Sequence, residues 1–122
     1  MKAARIMLGL ASVLLLATAA FHSSGGAMVS GWLEGEKGSI LRLLWFVPAI
    51  DWAVVALIWA FAAWRPERRL APLIWLSAII PLSVAIMLIA AVGPAFPGIW
   101  MLLAAVALAA TGAARLREGL HI

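Results

Sequence analysis

The sequence predicts an all-α integral membrane protein, built as an antiparallel four-helix transmembrane bundle with both termini in the cytoplasm. Three observations lead to this prediction. Of the 122 residues, 66% are hydrophobic and only 11% are charged, whereas an ordinary soluble domain has about 25% charged residues. The hydrophobic residues fall into four runs, each long enough to cross the hydrocarbon core of a bilayer. Lysine and arginine are concentrated at those ends of the runs that would lie on the same side of the membrane.

The chain is predicted to form one membrane domain, 1–122, with spans at residues 6–22, 40–64, 70–92 and 98–114. Each span should be a helix, because backbone polar groups in lipid must bond within the protein. The connections are predicted as an outer loop at 23–39, a cytoplasmic loop at 65–69, an outer turn at 93–97 and a cytoplasmic tail at 115–122. Apolar residues among 28–33 suit a short re-entrant or surface-lying turn at the membrane interface.

The distribution of basic residues predicts the orientation. Seven of the nine lie on one predicted side: Lys2, Arg5, Arg65, Arg68, Arg69, Arg115 and Arg117. Only Lys37 and Arg42 lie on the other side. The positive-inside rule therefore places both termini in the cytoplasm, as an even number of spans also requires. The predicted location is the cell membrane, of the bacterial inner-membrane type.

The first span has a second interpretation. Lys2 and Arg5, the apolar run and the segment 17–19 (Ala-Thr-Ala) are similar to a secretory signal peptide with a small-residue cleavage site. Cleavage would leave three spans and an external N-terminus. The short loop that follows leads directly into another span, which favours a retained helix.

Asp51 is the most informative single residue. It lies near the middle of Ile40–Trp64, a 25-residue stretch that is otherwise apolar apart from Arg42. A carboxyl group at the bilayer centre costs roughly 2.5–3.5 kcal/mol on insertion scales. We therefore expect Asp51 to be buried at mid-membrane, and it is the candidate catalytic residue, as proton carrier, cation ligand or acid/base. The alternative is a protonated structural acid that donates a hydrogen bond to a neighbouring helix.

The third span supplies a candidate partner region for Asp51. Ser77, Pro81 and Ser83 lie near mid-depth there, and Pro81 has no N–H to donate to the carbonyl of Ser77. Pro48 frees the carbonyl of Leu44 on the second span in the same way. Two prolines flanking one acid predict a small polar cavity. The alternative is that the prolines only shape the bundle, as they commonly do in membrane helices.

Tryptophans mark one side of the second span. Trp45, Trp52 and Trp59 recur every seven residues, which returns to the same helix face within about 20°. This stripe is predicted either to form an aromatic wall for a ligand or to pack against helices or lipid. Together with Ser77 and Ser83, its three members are the candidate ligand-binding residues. Three further tryptophans are predicted as interfacial anchors: Trp32, Trp64 and Trp100.

The fourth span is dominated by small residues. Ala105, Ala109 and Ala113 follow a four-residue spacing beside Gly112, a pattern that allows close helix contact within the bundle or with another subunit. His22 and His121 are predicted to lie on opposite sides of the membrane, so we expect no metal site that uses both. His22 alone is predicted as an interfacial residue, with a haem ligand or an acid/base group as alternatives. The chain has no cysteine, and no motif identifies a metal site or a cofactor.

Three classes of function are compatible with these features. The first is a non-catalytic accessory protein, or a module that binds a lipophilic ligand or partner helices. The second is an oligomeric proton-coupled transporter or channel that uses Asp51. The third is an intramembrane isomerase or hydrolase acting on a lipophilic small molecule, with Asp51 as acid/base. The expected partners are the lipid bilayer, a second copy or a larger membrane complex, and a lipophilic small molecule, but not nucleic acid.

Overall fold

The computed structural model describes residues 1–118, which form five helices, a single 3₁₀ turn and short connections. The helices are α1 (Lys2–Ser24), α2 (Gly26–Ser30), α3 (Gly35–Trp64), α4 (Ala71–Val92) and α5 (Pro97–Glu118), and the turn at Arg68–Leu70 precedes α4. Four helical segments, built on α1, α3, α4 and α5, are long and apolar enough to cross a membrane. The chain is therefore an all-helical protein with the features of a membrane protein.

The four long helices contain the predicted spans almost entirely and run beyond most of their ends. α1 starts at Lys2, α3 begins at Gly35 and so includes residues 35–39 of the predicted outer loop, and α5 continues to Glu118. Hydropathy locates the part of a helix that crosses the hydrocarbon core, whereas hydrogen bonding continues the helix into the polar region on either side. His121 lies outside the described residues.

The long helices form a ring in the order α1, α3, α4, α5. α1 packs extensively against both α3 and α5, α4 packs against α5, and the contact between α3 and α4 is the least extensive of the four sides. Two hydrogen bonds join α1 to α3: Ser12 Oγ donates to the carbonyl of Ala56 at 2.8 Å, and Arg5 Nε donates to the carbonyl of Ala63 at 3.1 Å. The thin side between α3 and α4 leaves room inside the bundle.

The small residues of α5 pack within the bundle. Ala105, Ala109 and Ala113 are fully buried, and Gly112 is also buried. A Cβ at Gly112 would lie 2.8 Å from Leu8 Cγ, so the absence of a side chain lets α1 and α5 approach closely. The structure thus accounts for this pattern without a second subunit.

The connection between α1 and α3 is folded onto the bundle. α2 packs against α3, with Val29 fully buried, and Gly26 lies so close to Phe46 that a Cβ would be 2.7 Å from its ring. Met28 and Trp32 remain exposed. The predicted turn at the interface is therefore a short helix, which covers the end of the bundle.

Candidate functional site

His22 and Trp45 join the end of α1 to α3 through a reciprocal pair of hydrogen bonds. His22 Nε2 donates to the carbonyl of Trp45, and Trp45 Nε1 donates to the carbonyl of His22, both at 2.8 Å. The two rings are stacked, with centroids 4.5 Å apart and planes 8° from parallel. Because a carbonyl oxygen only accepts, Nε2 carries a proton, and in the neutral imidazole Nδ1 is then an acceptor.

Trp52 lies two turns further into α3 and meets the same histidine. Its ring is edge-to-face with that of His22, with centroids 5.2 Å apart. Trp52 is only 2% exposed, and its indole N–H is buried with no hydrogen-bond partner among the described residues. An unsatisfied buried donor costs about 1–3 kcal/mol. We refer to His22, Trp45 and Trp52 as the aromatic cluster; it offers one unpaired donor and, at His22 Nδ1, one acceptor.

The aromatic cluster forms part of the wall of a cavity of about 640 Å³. Every long helix contributes to the rest of the wall, which includes Thr18, Pro48, Val84 and Leu102, and Met28 of α2. The volume falls within the range of about 300–1,000 Å³ that is typical of small-molecule sites. The cavity lies at the far end of α1 from Arg5.

Few polar groups line this cavity. The hydroxyl of Thr18 is already used, because it donates to the carbonyl of Leu14 within α1 at 2.8 Å. Leu44 and Pro48 both line the cavity, and Pro48 lacks the N–H that would otherwise bond the carbonyl of Leu44. An apolar cavity with a small number of polar groups on its wall suits a largely apolar ligand with one polar function.

The tryptophan stripe faces the interior of the bundle. Trp52 and Trp59 are buried and Trp45 is half-buried. Trp45 and Trp52 line the cavity, whereas Trp59 Nε1 donates to Ser77 Oγ at 3.0 Å across the contact between α3 and α4. The hydroxyl of Ser77 in turn donates to the carbonyl of Ile74 at 3.0 Å. Of the predicted ligand-binding residues, Trp45 and Trp52 thus line the cavity, whereas Trp59 and Ser77 form a hydrogen bond with each other.

Ser83 is separate from all of these residues. Its side chain is exposed, and its hydroxyl donates to the carbonyl of Ile79 within α4 at 2.7 Å. The structure therefore gives this predicted ligand-binding residue no contact with the aromatic cluster.

The expected burial of Asp51 at mid-membrane is not found in the single chain. Asp51 is exposed, and within residues 1–118 its carboxyl group makes no hydrogen bond or ion pair, with Ser77 or with any other residue. It immediately precedes Trp52, so it points about 100° away from the inward-facing stripe. Its neighbours on the outer surface are the exposed apolar side chains of Val47, Ile50 and Val54.

His22 is the one member of the aromatic cluster that was not among the predicted ligand-binding residues. A signal for it was present: His22 ends the first predicted span and Trp45 lies near the start of the second, so both are toward the same end of two adjacent helices. With Nε2 committed to the carbonyl of Trp45, His22 is not arranged as a haem ligand through that nitrogen. The described part of the chain contains no group of three residues able to hold a metal ion.

The Trp59–Ser77 hydrogen bond should contribute about 1 kcal/mol to the stability of the bundle. We expect Trp59→Phe and Ser77→Ala to show a coupling energy of roughly 0.5–1.5 kcal/mol in a double-mutant cycle of unfolding in mixed micelles. Trp64→Phe is the matched control, because Trp64 is exposed on the same helix. A coupling energy of zero would show that the two side chains do not interact.

Comparisons of the chain with protein-family models, with curated proteins and with solved structures give no match.

Proposed function

We propose that this chain is a non-catalytic membrane module that binds a lipophilic small molecule bearing a hydroxyl group, in the cavity beside the aromatic cluster. The observation that carries the proposal is the unpaired, buried N–H of Trp52 in the wall of a mainly apolar cavity. A hydroxyl group both accepts and donates a hydrogen bond. It can therefore accept from the Trp52 N–H, after a small shift that exposes this atom, and donate to His22 Nδ1.

The same geometry disfavours catalysis at this site. General acid–base chemistry usually needs two titratable groups whose roles differ, and His22 is the only titratable side chain lining the cavity within residues 1–118. Asp51 lies outside the cavity. An intramembrane enzyme or a proton-coupled transporter remains the alternative, and either would require a neighbouring molecule to complete a site around Asp51.

The proposed arrangement in the membrane is antiparallel, with both termini in the cytoplasm of a bacterial cell and the cavity in the outer half of the inner membrane. The Arg5–Ala63 hydrogen bond, which joins the start of α1 to the end of α3, supports this arrangement. The His22–Trp45 pair joins the end of α1 to the first half of α3. Most of the basic residues then lie at the cytoplasmic end.

We also propose that the protein functions as a homo-oligomer, with a second copy covering the surface around Asp51. Ionisable side chains within a membrane almost always face protein or water rather than lipid. In a single copy Asp51 lies among exposed apolar side chains. Two protonated carboxyl groups can each donate to the other across a two-fold axis, so a second copy supplies a matching partner.

The ligand-binding proposal is tested by identifying what the purified protein retains. The wild-type chain should be extracted in mild detergent, and its bound lipophilic molecules identified by mass spectrometry. We expect a hydroxylated lipophilic molecule at a fixed ratio to protein. Trp52→Phe should retain about tenfold less, since one hydrogen bond to the ligand is lost, and His22→Ala should retain less still.

Trp64→Phe is the matched control for ligand retention, because Trp64 is exposed at the opposite end of α3 from the aromatic cluster. It should retain as much ligand as the wild type. Retention of bulk lipid alone, or equal retention by all four proteins, would contradict the proposal.

A further inference from the structure

A second cavity, of about 560 Å³, lies where α4 begins and α5 ends. Three arginines line it: Arg68 and Arg69 from the turn before α4, and Arg117 from the last turn of α5. The remaining wall consists of Ala71, Pro72 and Trp75 in the first turns of α4. This basic pocket is separate from the aromatic cluster, at the end of the bundle where positive charge is concentrated.

The positive charge of the basic pocket is only partly neutralised by the protein. Arg69 forms an ion pair with Glu67. Within residues 1–118, Arg68 and Arg117 have no carboxylate within ion-pair distance. Guanidinium groups form bidentate hydrogen bonds with the oxygens of a phosphate, which makes arginine well suited to bind phosphate groups. The pocket therefore has charge available for an anion.

The surface next to the basic pocket is apolar. Trp75 is partly exposed one turn into α4, and Leu73 and Leu76 are exposed beside it. Tryptophan is enriched at the level of lipid headgroups. An anion held by the arginines would thus lie directly above a surface suited to acyl chains. A free anion would make no use of that surface, whereas a phospholipid would use both parts.

We propose that the basic pocket binds the phosphate headgroup of an anionic phospholipid, with its acyl chains along the exposed face of α4. Basic pockets between membrane helices on the cytoplasmic side bind anionic headgroups in this way. The start of α4 adds the positive end of a helix dipole to the three arginines. This inference is independent of the ligand proposed for the aromatic cluster.

The test measures binding of defined probes to the full chain in detergent, by native mass spectrometry and by thermal shift. The probes are dioleoyl phosphatidylglycerol, dioleoyl phosphatidylcholine and inorganic phosphate at equal concentration. We expect retention and stabilisation by phosphatidylglycerol only. Equal binding of phosphatidylcholine would overturn the proposal, and equal stabilisation by inorganic phosphate would show that the pocket binds free anions rather than a lipid.

Arg117→Gln and Arg68→Gln should each weaken phosphatidylglycerol binding by about tenfold. Arg115→Gln is the matched control: it removes the same charge two residues away on the same helix, but Arg115 pairs with Glu118 and does not line the pocket. Its binding should remain within about twofold of the wild type. An equal loss in Arg115→Gln and Arg117→Gln would overturn the proposal, because binding would then depend on overall charge. Arg68 and Arg117 lie on separate elements, so one well-folded variant of the two is enough for a decisive result.

Discussion

Replacing Asp51 by leucine is expected to convert the proposed homo-oligomer to a monomer. In the single chain the carboxyl group lies on an apolar outer surface beside Ile50 and Val54. Facing lipid costs a mid-membrane acid roughly 2.5–3.5 kcal/mol, whereas leucine is mildly favourable there. Leucine faces lipid without this cost, so the variant gains no such free energy when a second copy covers the surface. The dissociation constant should therefore rise by about a hundredfold or more.

The measurement is the oligomeric mass in detergent and in bilayers, by sedimentation and by single-molecule photobleaching. Asp51→Asn should remain oligomeric, because an amide also donates and accepts across a two-fold axis. Ser83→Leu is the control, since Ser83 is exposed on α4 and its hydroxyl is used within that helix. A monomeric wild-type protein, or an unchanged mass in Asp51→Leu, would show that Asp51 does not hold copies together.

Asp51→Asn also separates the ligand-binding module from the other two classes of function. The cavity does not include Asp51, so a ligand-binding module should keep its ligand in this variant. A transporter or an enzyme that depends on proton transfer at Asp51 would lose activity, because an amide does not take part in proton transfer in the way a carboxyl group does.

Gly38→Ala is expected to destabilise the connection between α1 and α3 strongly. A Cβ at this position would lie 2.3 Å from the carbonyl oxygen of Leu33 and 2.9 Å from that of Ser30. Both are backbone atoms, so relief requires the connection to move rather than a side chain to rotate. The cost should be about 2 kcal/mol or more, even after the higher helix propensity of alanine is allowed for. Because Met28 and Trp32 line the cavity, ligand retention should fall as well.

Thermal unfolding in micelles and hydrogen exchange across residues 26–38 would measure this effect. Gly31→Ala is the matched control in the same connection, since its Cβ would meet only the carbonyl oxygen of Met28, at an ordinary 3.4 Å. It should change stability by less than about 0.5 kcal/mol. If the two alanine variants unfolded at the same temperature, the close approach at Gly38 would not constrain the connection.

Much of the fold could be predicted from the sequence because crossing a membrane is a local requirement. An apolar run of about 20 residues must be helical in lipid wherever the rest of the chain lies. The four runs therefore identified α1, α3, α4 and α5, with errors only at their ends. The short helix α2 was missed as a helix, since its five residues pack on α3 and have little signal of their own.

The candidate site was only partly predictable. The seven-residue spacing correctly placed Trp45 and Trp52 on one face, and both line the cavity. The expected burial of Asp51 is not found in the single chain, because a mid-membrane acid was taken to face inward. The tryptophan spacing could have predicted this result, because Asp51 directly precedes Trp52 and must point away from the interior if Trp52 faces it. His22 belongs to the site because it contacts Trp45 on another helix, and residue spacing along a single helix does not predict such a contact.

The sequence by itself determined that the chain has four apolar segments of membrane-spanning length, where the positive charge lies along it, and that one acid lies midway along a span. Only the tertiary structure decided which way each helix is rotated, which residues enclose the cavity and which N–H is left unpaired. The physical reason is that a membrane helix is apolar on its inner and outer faces alike, so hydrophobicity does not distinguish them. Packing and hydrogen bonds between helices make that distinction, and they depend on residues far apart in the chain.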